Sequence, residues 1–374
     1  VLAQPSHLER AMGKSRYFFA KMLLLATALV FGFQNAQGEE LIYGPEWTFT
    51  SEKMIDKFTA LQAYQEIEVG LAQYYKQLCS TGKCTYDPTF RILEVGKQIR
   101  INFNRDPGVI EIQTTPKTSA EWKQLAPFIQ EHVFDVLISL GAKPHEREGA
   151  GHLNIGAKYF EKKPLLFRNF VVDFYNHPGL GTVLNSLMAN IDDAAYLHEM
   201  NESFLYTKEE LEADLKKLKK LDAKNSQTRL STYVAGESAP FSAFEQNKYV
   251  ALRLHISNKV HPSHQRLEIR TLRPQQSMRD FLSAIEVYEA RIHHLEKNFS
   301  APIKPLPPVP VVDGWTALGE FADYLSDSGL DWKKYRNLMP EMWRNLDEKN
   351  FVRGKVKTEM VHSGIALKCS AVFK

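Results

Sequence analysis

The sequence predicts an α+β protein: a twisted, mainly antiparallel sheet with long helices packed on its other side. Three observations lead there. Strand-like runs come in closely spaced pairs joined by turn residues, as hairpins are. Long helical stretches separate those pairs. No glycine-rich phosphate loop, Walker sequence or dinucleotide fingerprint follows any strand, so the signature of a doubly wound parallel sheet is missing.

The chain opens on a targeting pattern. Lys14, Arg16 and Lys21 make a basic start, and Met22 to Phe33 is an apolar run of 12 residues. Ala36-Gln37-Gly38 then puts small residues two apart ahead of Glu39-Glu40. This is the three-part pattern of a secretory signal, and the run is short of the ~20 residues a membrane span takes. Residues 1–38 are expected to be a signal peptide, with Met12 the natural start and residues 1–11 an extension. The working chain then begins near Glu39, exported to the periplasm or secreted, with no stable membrane insertion.

The body, residues 39–300, reads element by element. Leu41 to Thr50 is rich in β-branched and aromatic residues and predicts a strand. Ser51 to Leu78 predicts one long amphipathic helix, apolar at Met54, Phe58, Leu61, Ile67 and Leu71. Phe90 to Val95 and Gln98 to Asn102 predict a hairpin around Gly96. Asp106-Pro107-Gly108 predicts a turn into a strand over Val109 to Thr114. Ala120 to Leu140 predicts a helix closed by Gly141. Gly151 to Tyr159 predicts a strand, and Thr207 with Glu210 a capping box opening a helix to Leu221. Lys248 to Ser257 and Gln265 to Leu272 predict a strand pair, and Gln276 to Leu295 a helix. Residues 301–310 (APIKPLPPVP) hold five prolines and read as an extended connector. Residues 311–374 read as a small appendix of two helices and a terminal strand pair.

Composition narrows the function. A net charge of +3 over 374 residues, with no basic stripe among aromatics, gives no nucleic-acid footprint. Cys79 and Cys84 flank Ser80-Thr81-Gly82-Lys83, and in an oxidising compartment that spacing predicts a local disulfide. Cys369 lies in an apolar run and reads as a buried thiol. The absence of G-x-S-x-G and H-E-x-x-H leaves a serine hydrolase or a zincin without support. His293-His294, His261 with His264, and Asp192-Asp193 read as solvated surface groups, because neither their spacing nor their setting suits chelation.

The chemistry sits on the strands. Glu46 lies within the first. Asp106 and Glu111 flank Pro107-Gly108. His152 and Asn154 alternate, as do Arg253 and His255, and Glu268 and Arg270. Residues two apart share a sheet face. Carboxylates with a histidine suit Mg²⁺ or Mn²⁺, and arginines beside them suit phosphate or carboxylate oxygens. A half-exposed antiparallel sheet also alternates with no site at all.

In order, GPEWTF, DPGVIEIQTTP, GAGHLNIG, KYVALRL and RLEIRTLRP resemble the glutamine-synthetase-like carboxylate–amine ligases, in the glutamate–cysteine ligase and putative amidoligase branch. The resemblance covers Leu41 to Glu289. It implies a funnel-like active face, ATP and Mg²⁺ or Mn²⁺ as cofactors, and joining of a small or peptide carboxylate to an amine through an acyl-phosphate. It implies Glu46, Glu111, His152 and Glu268 as metal ligands, and Asp106 as the turn's acid. Arg270 would clamp the transferred phosphoryl group, and Arg253 and Asn154 would line the nucleotide or substrate region. Thr48 stands where the family has a second Glu, and Arg253 where the branch often has Asn. Two other readings stay open: a non-catalytic binder of a peptide or sugar acid on the same fold, and an ATP-independent cell-wall enzyme using Glu46 and Glu111 as an acid/base pair. Oligomeric state is not legible.

Overall fold

The computed structural model describes residues 39–145, 149–161, 163–184, 251–256, 264–304 and 314–339. The expected signal, Thr207, His261, Asp192-Asp193, Cys369 and the terminal strand pair lie outside the described residues. The chain divides into two units, Val1–Glu40 and Leu41–Lys374, and every element below belongs to the second.

Among the described residues nine strands form one sheet. They are β1 (Ile42–Phe49), β2 (Thr85–Asp87), β3 (Ile92–Val95), β4 (Ile99–Asp106), β5 (Val109–Thr114), β6 (Lys117–Thr118), β7 (Gly151–Gly156), β8 (Leu252–His255) and β9 (Arg266–Leu272). The order is β2-β3-β4-β5-β1-β7-β9-β8, with β6 on β1, and every pairing is antiparallel. The fold is thus the expected α+β class. Hairpin chemistry joins β4 to β5: Asp106 pairs with Val109, and between them stand Pro107 and Gly108 at φ 83°. Proline then glycine with positive φ is the combination a type II turn requires.

Register sorts the side chains. Directly opposed residues share a face. Trp47 opposes Ile112 and Leu153 opposes Ile269; all four are fully buried. The helices cover this apolar face. Trp47 meets Trp122, Phe134 and Phe281 edge-on, with ring centroids 6.0, 5.1 and 5.2 Å apart. Trp122 belongs to α3 (Ser119–Ile129) and Phe281 to α7 (Met278–Asn298). Phe134 closes a π-helical turn, Gln130–Phe134, ahead of α4 (Asp135–Ser139). Pro127 inside α3 removes a backbone donor just before that widened turn. The turn presents Gln130, whose Oε1 accepts from the Met278 N–H at 2.9 Å and so caps α7.

Three expectations change. The helix over 51–78 is two helices, α1 (Glu52–Ile55) and α2 (Ala60–Cys79). Asp56 takes an extended conformation, its carboxylate accepts from Phe58 N, and Thr59 Oγ1 donates back to Lys53 O. That local bonding interrupts the helix. Phe58 and Leu61, expected to be buried, are 86% and 60% exposed. The strand over 151–159 stops at Gly156, and residues 157–160 form a 3₁₀ turn. Tyr159 and Phe160 are both buried, which strict strand alternation does not allow. Helices α5 (Pro164–Asn176) and α6 (Pro178–Leu184) fill a stretch with no sequence assignment. A buried bidentate pair, Arg291 Nε to Asp173 Oδ2 at 2.8 Å and Nη2 to Oδ1 at 2.5 Å, ties α5 to α7. Of the appendix, α8 (Gly314–Asp327) and a 3₁₀ turn, Trp332–Leu338, are described. The start of the connector is pinned: Arg168 and Asn169 donate to the Ile303 and Ala301 carbonyls.

Cys79 and Cys84 are disulfide-bonded, which is compatible with export, and no helix among the described residues is long and apolar enough to cross a membrane. Closing so short a loop restricts the unfolded chain by about 2 kcal/mol. The double variant Cys79→Ser, Cys84→Ser is therefore expected to lose about that much in urea unfolding while keeping the fold. A loss near zero would mean the bridge adds no restraint.

Candidate metal centre

The opposite face of the same strands is polar. Glu46 on β1 opposes Gln113 on β5 and His152 on β7. Asn154 opposes Glu268 on β9, and Glu268 opposes Arg253 on β8. Alternation therefore sends Trp47 into the core and Glu46 onto the site from adjacent positions. A bulge in β9 sets Arg270 and Thr271 against His152, between the Gly151–Leu272 and Leu153–Ile269 pairs, and re-aims β9 there.

Glu46, His152 and Glu268 each present one ligand-type atom, all within 4.8 Å of one another. Their exposures are 8%, 8% and 2%. His152 Nδ1 donates to Glu46 Oε2 at 3.0 Å and lies 3.1 Å from Glu268 Oε1. Its Nε2 is buried with no hydrogen-bond partner. Asn154 Nδ2 donates to Glu46 Oε1 at 3.2 Å, and Arg266 Nε donates to Asn154 Oδ1 at 2.8 Å. Glu268 also accepts from Arg270 on Oε1 and from His255 on Oε2.

Burial alone would raise both carboxyls. The hydrogen bonds and charge of His152 outweigh it for Glu46. His152, His255 and Arg270 together hold Glu268 far below the usual carboxylate range. Burial would lower His152, but its bonds to Glu268 and Glu46 push it up to about 9. One imidazolium proton thus sits between two carboxylates.

The donor set fits a divalent cation. Two oxygens and a nitrogen suit Mg²⁺ or Mn²⁺. His152 Nδ1 lies 3.0 and 3.1 Å from the two carboxylate oxygens, and all three donors lie within 4.8 Å, a separation one ion could bridge. An ion taking this place must displace the His152 proton. Mn²⁺ affinity is therefore expected to rise about tenfold per pH unit until pH approaches 9. The same shift acts on the cation-free protein. Because the folded pKa is above the usual 6.5, the stabilisation by His152 is complete below about 6.5 and is lost as pH rises through about 9. Calorimetric Mn²⁺ titration from pH 6.5 to 8.5 checks this; a flat profile would count against the exchange.

The other sequence candidates are placed variously. Arg270 and Asn154 touch the cluster, and Arg253 stands across from Glu268. Glu111 opposes Thr48, diagonal to Glu46, outside the three-atom cluster. Burial and the charge of Glu46 raise its carboxyl, which accepts from Gln113 Nε2 at 2.6 Å. Asp106 is exposed at the β4–β5 hairpin tip, its backbone carbonyl accepting from Tyr64 OH. Thr48 Oγ1 donates to Ala150 O at 2.9 Å. Gly149 passes so close that a Cβ there would lie 2.5 Å from Thr48 Oγ1. An acid at position 48 would meet that carbonyl. Sequence reasoning did not assign His255, Arg266 or Gln113. Alternation marked His255, but only the β8–β9 register gives it a partner.

A cavity of about 220 Å³ adjoins the cluster, lined by Gly44, Glu46, Gln113, Asn154, His264 and Arg266 among others. It lies on the polar face and shares Glu46 and Asn154 with the cluster.

No protein-family model matches the chain, and no curated protein sequence matches it. Among solved structures, one described as the crystal structure of a novel glutamine synthase homolog is 14% identical, with a TM-score of 0.37, over 88% of this chain and 71% of that one. At that level the likeness is one of outline and carries no chemistry.

Proposed function

We propose that this chain is an exported, ATP- and divalent-cation-dependent carboxylate–amine ligase, with Glu46, His152 and Glu268 holding Mg²⁺ or Mn²⁺. The observation that carries the reading is the burial of two carboxylates and an imidazole within one ion's reach, on a sheet face that also presents arginines. The ordered strand motifs supply the reaction class. The cation, when bound, neutralises phosphate oxygens. Arg270 and Arg253 donate to the transferred phosphoryl group and the substrate carboxylate. Asn154 holds Glu46 in place and Arg266 holds Asn154. A carboxylate oxygen attacks the γ-phosphorus of ATP and ADP leaves. An amine then attacks the acyl carbon, phosphate leaves and an amide remains. In this reading Glu111, one strand away with a raised pKa, takes the amine's proton.

A second reading, binding of a peptide or sugar acid without turnover, is favoured by Thr48. Its side chain is committed to Ala150 O, so position 48 offers no acid to the site.

The test is thermal unfolding of Glu39 to Lys374 with ATP and Mg²⁺ or Mn²⁺, with Glu111→Gln and Glu268→Gln alongside. A ligand that binds only the folded state raises Tm. A cation-dependent ATP shift that Glu268→Gln loses and Glu111→Gln, which leaves the cation cluster intact, keeps supports the ligase. A shift with a peptide or sugar acid and none with millimolar nucleotide supports the binder. The N-terminus of the exported chain, determined by sequencing, tests cleavage before Glu39.

A further inference from the structure

Glu268 faces three side chains, His152, His255 and Arg270, and its two oxygens have different partners. Oε1 faces the cluster, 3.1 Å from His152 Nδ1, and also accepts from Arg270 Nη1. Oε2 points away and accepts from His255 Nε2. A carboxylate only accepts, so the His255 proton is on Nε2 and its tautomer is set by this bond. His255 reaches Glu268 diagonally: on the β8–β9 ladder it opposes Arg266, while Arg253 opposes Glu268. Its Nε2 is outside the three-atom cluster, on the far side of the Glu268 carboxylate.

We propose that His255 is a positioning residue for the cation site, holding Glu268 Oε2 so that Oε1 stays aimed between His152 and Glu46. The proposal rests on the cation reading above. Arg270 alone cannot do this, because it bonds the same oxygen that the cation needs. Without His255 the carboxylate is free to rotate about its last torsion and offer Arg270 both oxygens, which withdraws a donor from the cluster. Outer partners of this kind orient ligands before the ion arrives and are worth about 10–100-fold in affinity. A clasp that only joined β8 to β9 would instead show in stability alone.

The experiment is calorimetric titration of the folded chain with Mn²⁺ alone at pH 7.5, with electron paramagnetic resonance of the bound ion. His255→Ala is expected to weaken Mn²⁺ binding about 10–100-fold and to broaden the bound-ion spectrum. His255→Gln, whose amide can donate from a similar place, is expected to recover most of both. Where His255→Ala gives no folded protein, His255→Leu, of closer size, replaces it. Wild-type affinity in the Ala or Leu variant overturns the proposal. So does a Gln variant no better than Ala with both losing Tm, which is the behaviour of a structural clasp. A wild-type chain that takes up no Mn²⁺ overturns the cation site itself, and this proposal with it.

Discussion

Glu268→Gln is expected to weaken Mn²⁺ binding by upwards of about 100-fold, beyond the range typical of outer-shell partners. The variant keeps the shape of the side chain and removes one negative charge from the centre. Glu268 is 2% exposed and faces His152, His255 and Arg270. Neutralising it removes half of the carboxylate charge of the three-residue cluster and takes away the carboxylate charge that faces Arg270 beside the ion. Breaking a buried charge pair from one side also costs about 3–5 kcal/mol. The Gln variant keeps an accepting oxygen and should lose less than Glu268→Ala, which keeps none. Mn²⁺ calorimetry and urea unfolding on the two variants read these effects separately. Unchanged Mn²⁺ affinity in Glu268→Gln would place the cation elsewhere.

The largest stability effect is expected one residue from the other carboxylate. Trp47→Ala should cost about 3–5 kcal/mol, the range for removing a buried aromatic side chain. Such a loss is a large part of the 5–15 kcal/mol that typically separates folded from unfolded chains. Trp47 is fully buried in a central strand, and three rings meet it edge-on. Each such ring pair adds about 0.5–1.5 kcal/mol beyond area burial, so the upper end of the range is expected. Circular dichroism melting of Trp47→Ala beside Glu46→Gln makes the contrast. The first should melt about 10 °C lower, at ~2–4 °C per kcal/mol. The second should lose Mn²⁺ binding with a smaller change in Tm. A Trp47→Ala variant that melts with the wild type would contradict the packing of β1 against α3 and α7.

Most strands were legible because their signals are local. Gly108 and Pro107 dictate a turn wherever they stand, so β4 and β5 could be read from a few residues. Alternation in β7, β8 and β9 likewise showed which residues share a face. The break between α1 and α2 was not legible. Met54, Ile67 and Leu71 keep a helical period, and the Asp56 and Thr59 side-chain bonds that interrupt it compete with the helix only once Lys53 O and Phe58 N are in place. Phe58 and Leu61 look like core by type, yet face solvent because that break turns them outward.

The candidate site divides along the same line. Sequence by itself determined the α+β class, the polar pairs that share a face on β7, β8 and β9, the cysteine pair, and a short set of groups able to meet an ion. Only the tertiary structure decided which of them meet. Glu46, His152 and Glu268 are separated by more than a hundred residues at each step, and nothing local sets their register. That register follows from strand order and the β9 bulge, which bring three donors within 4.8 Å and leave Glu111 diagonal and Asp106 at a tip. It also committed Thr48 to Ala150 O and gave His255 its partner. The physical reason is range: turn chemistry and alternation act over a few residues, whereas a buried ion site needs side chains whose spacing is set by the burial of the opposite face.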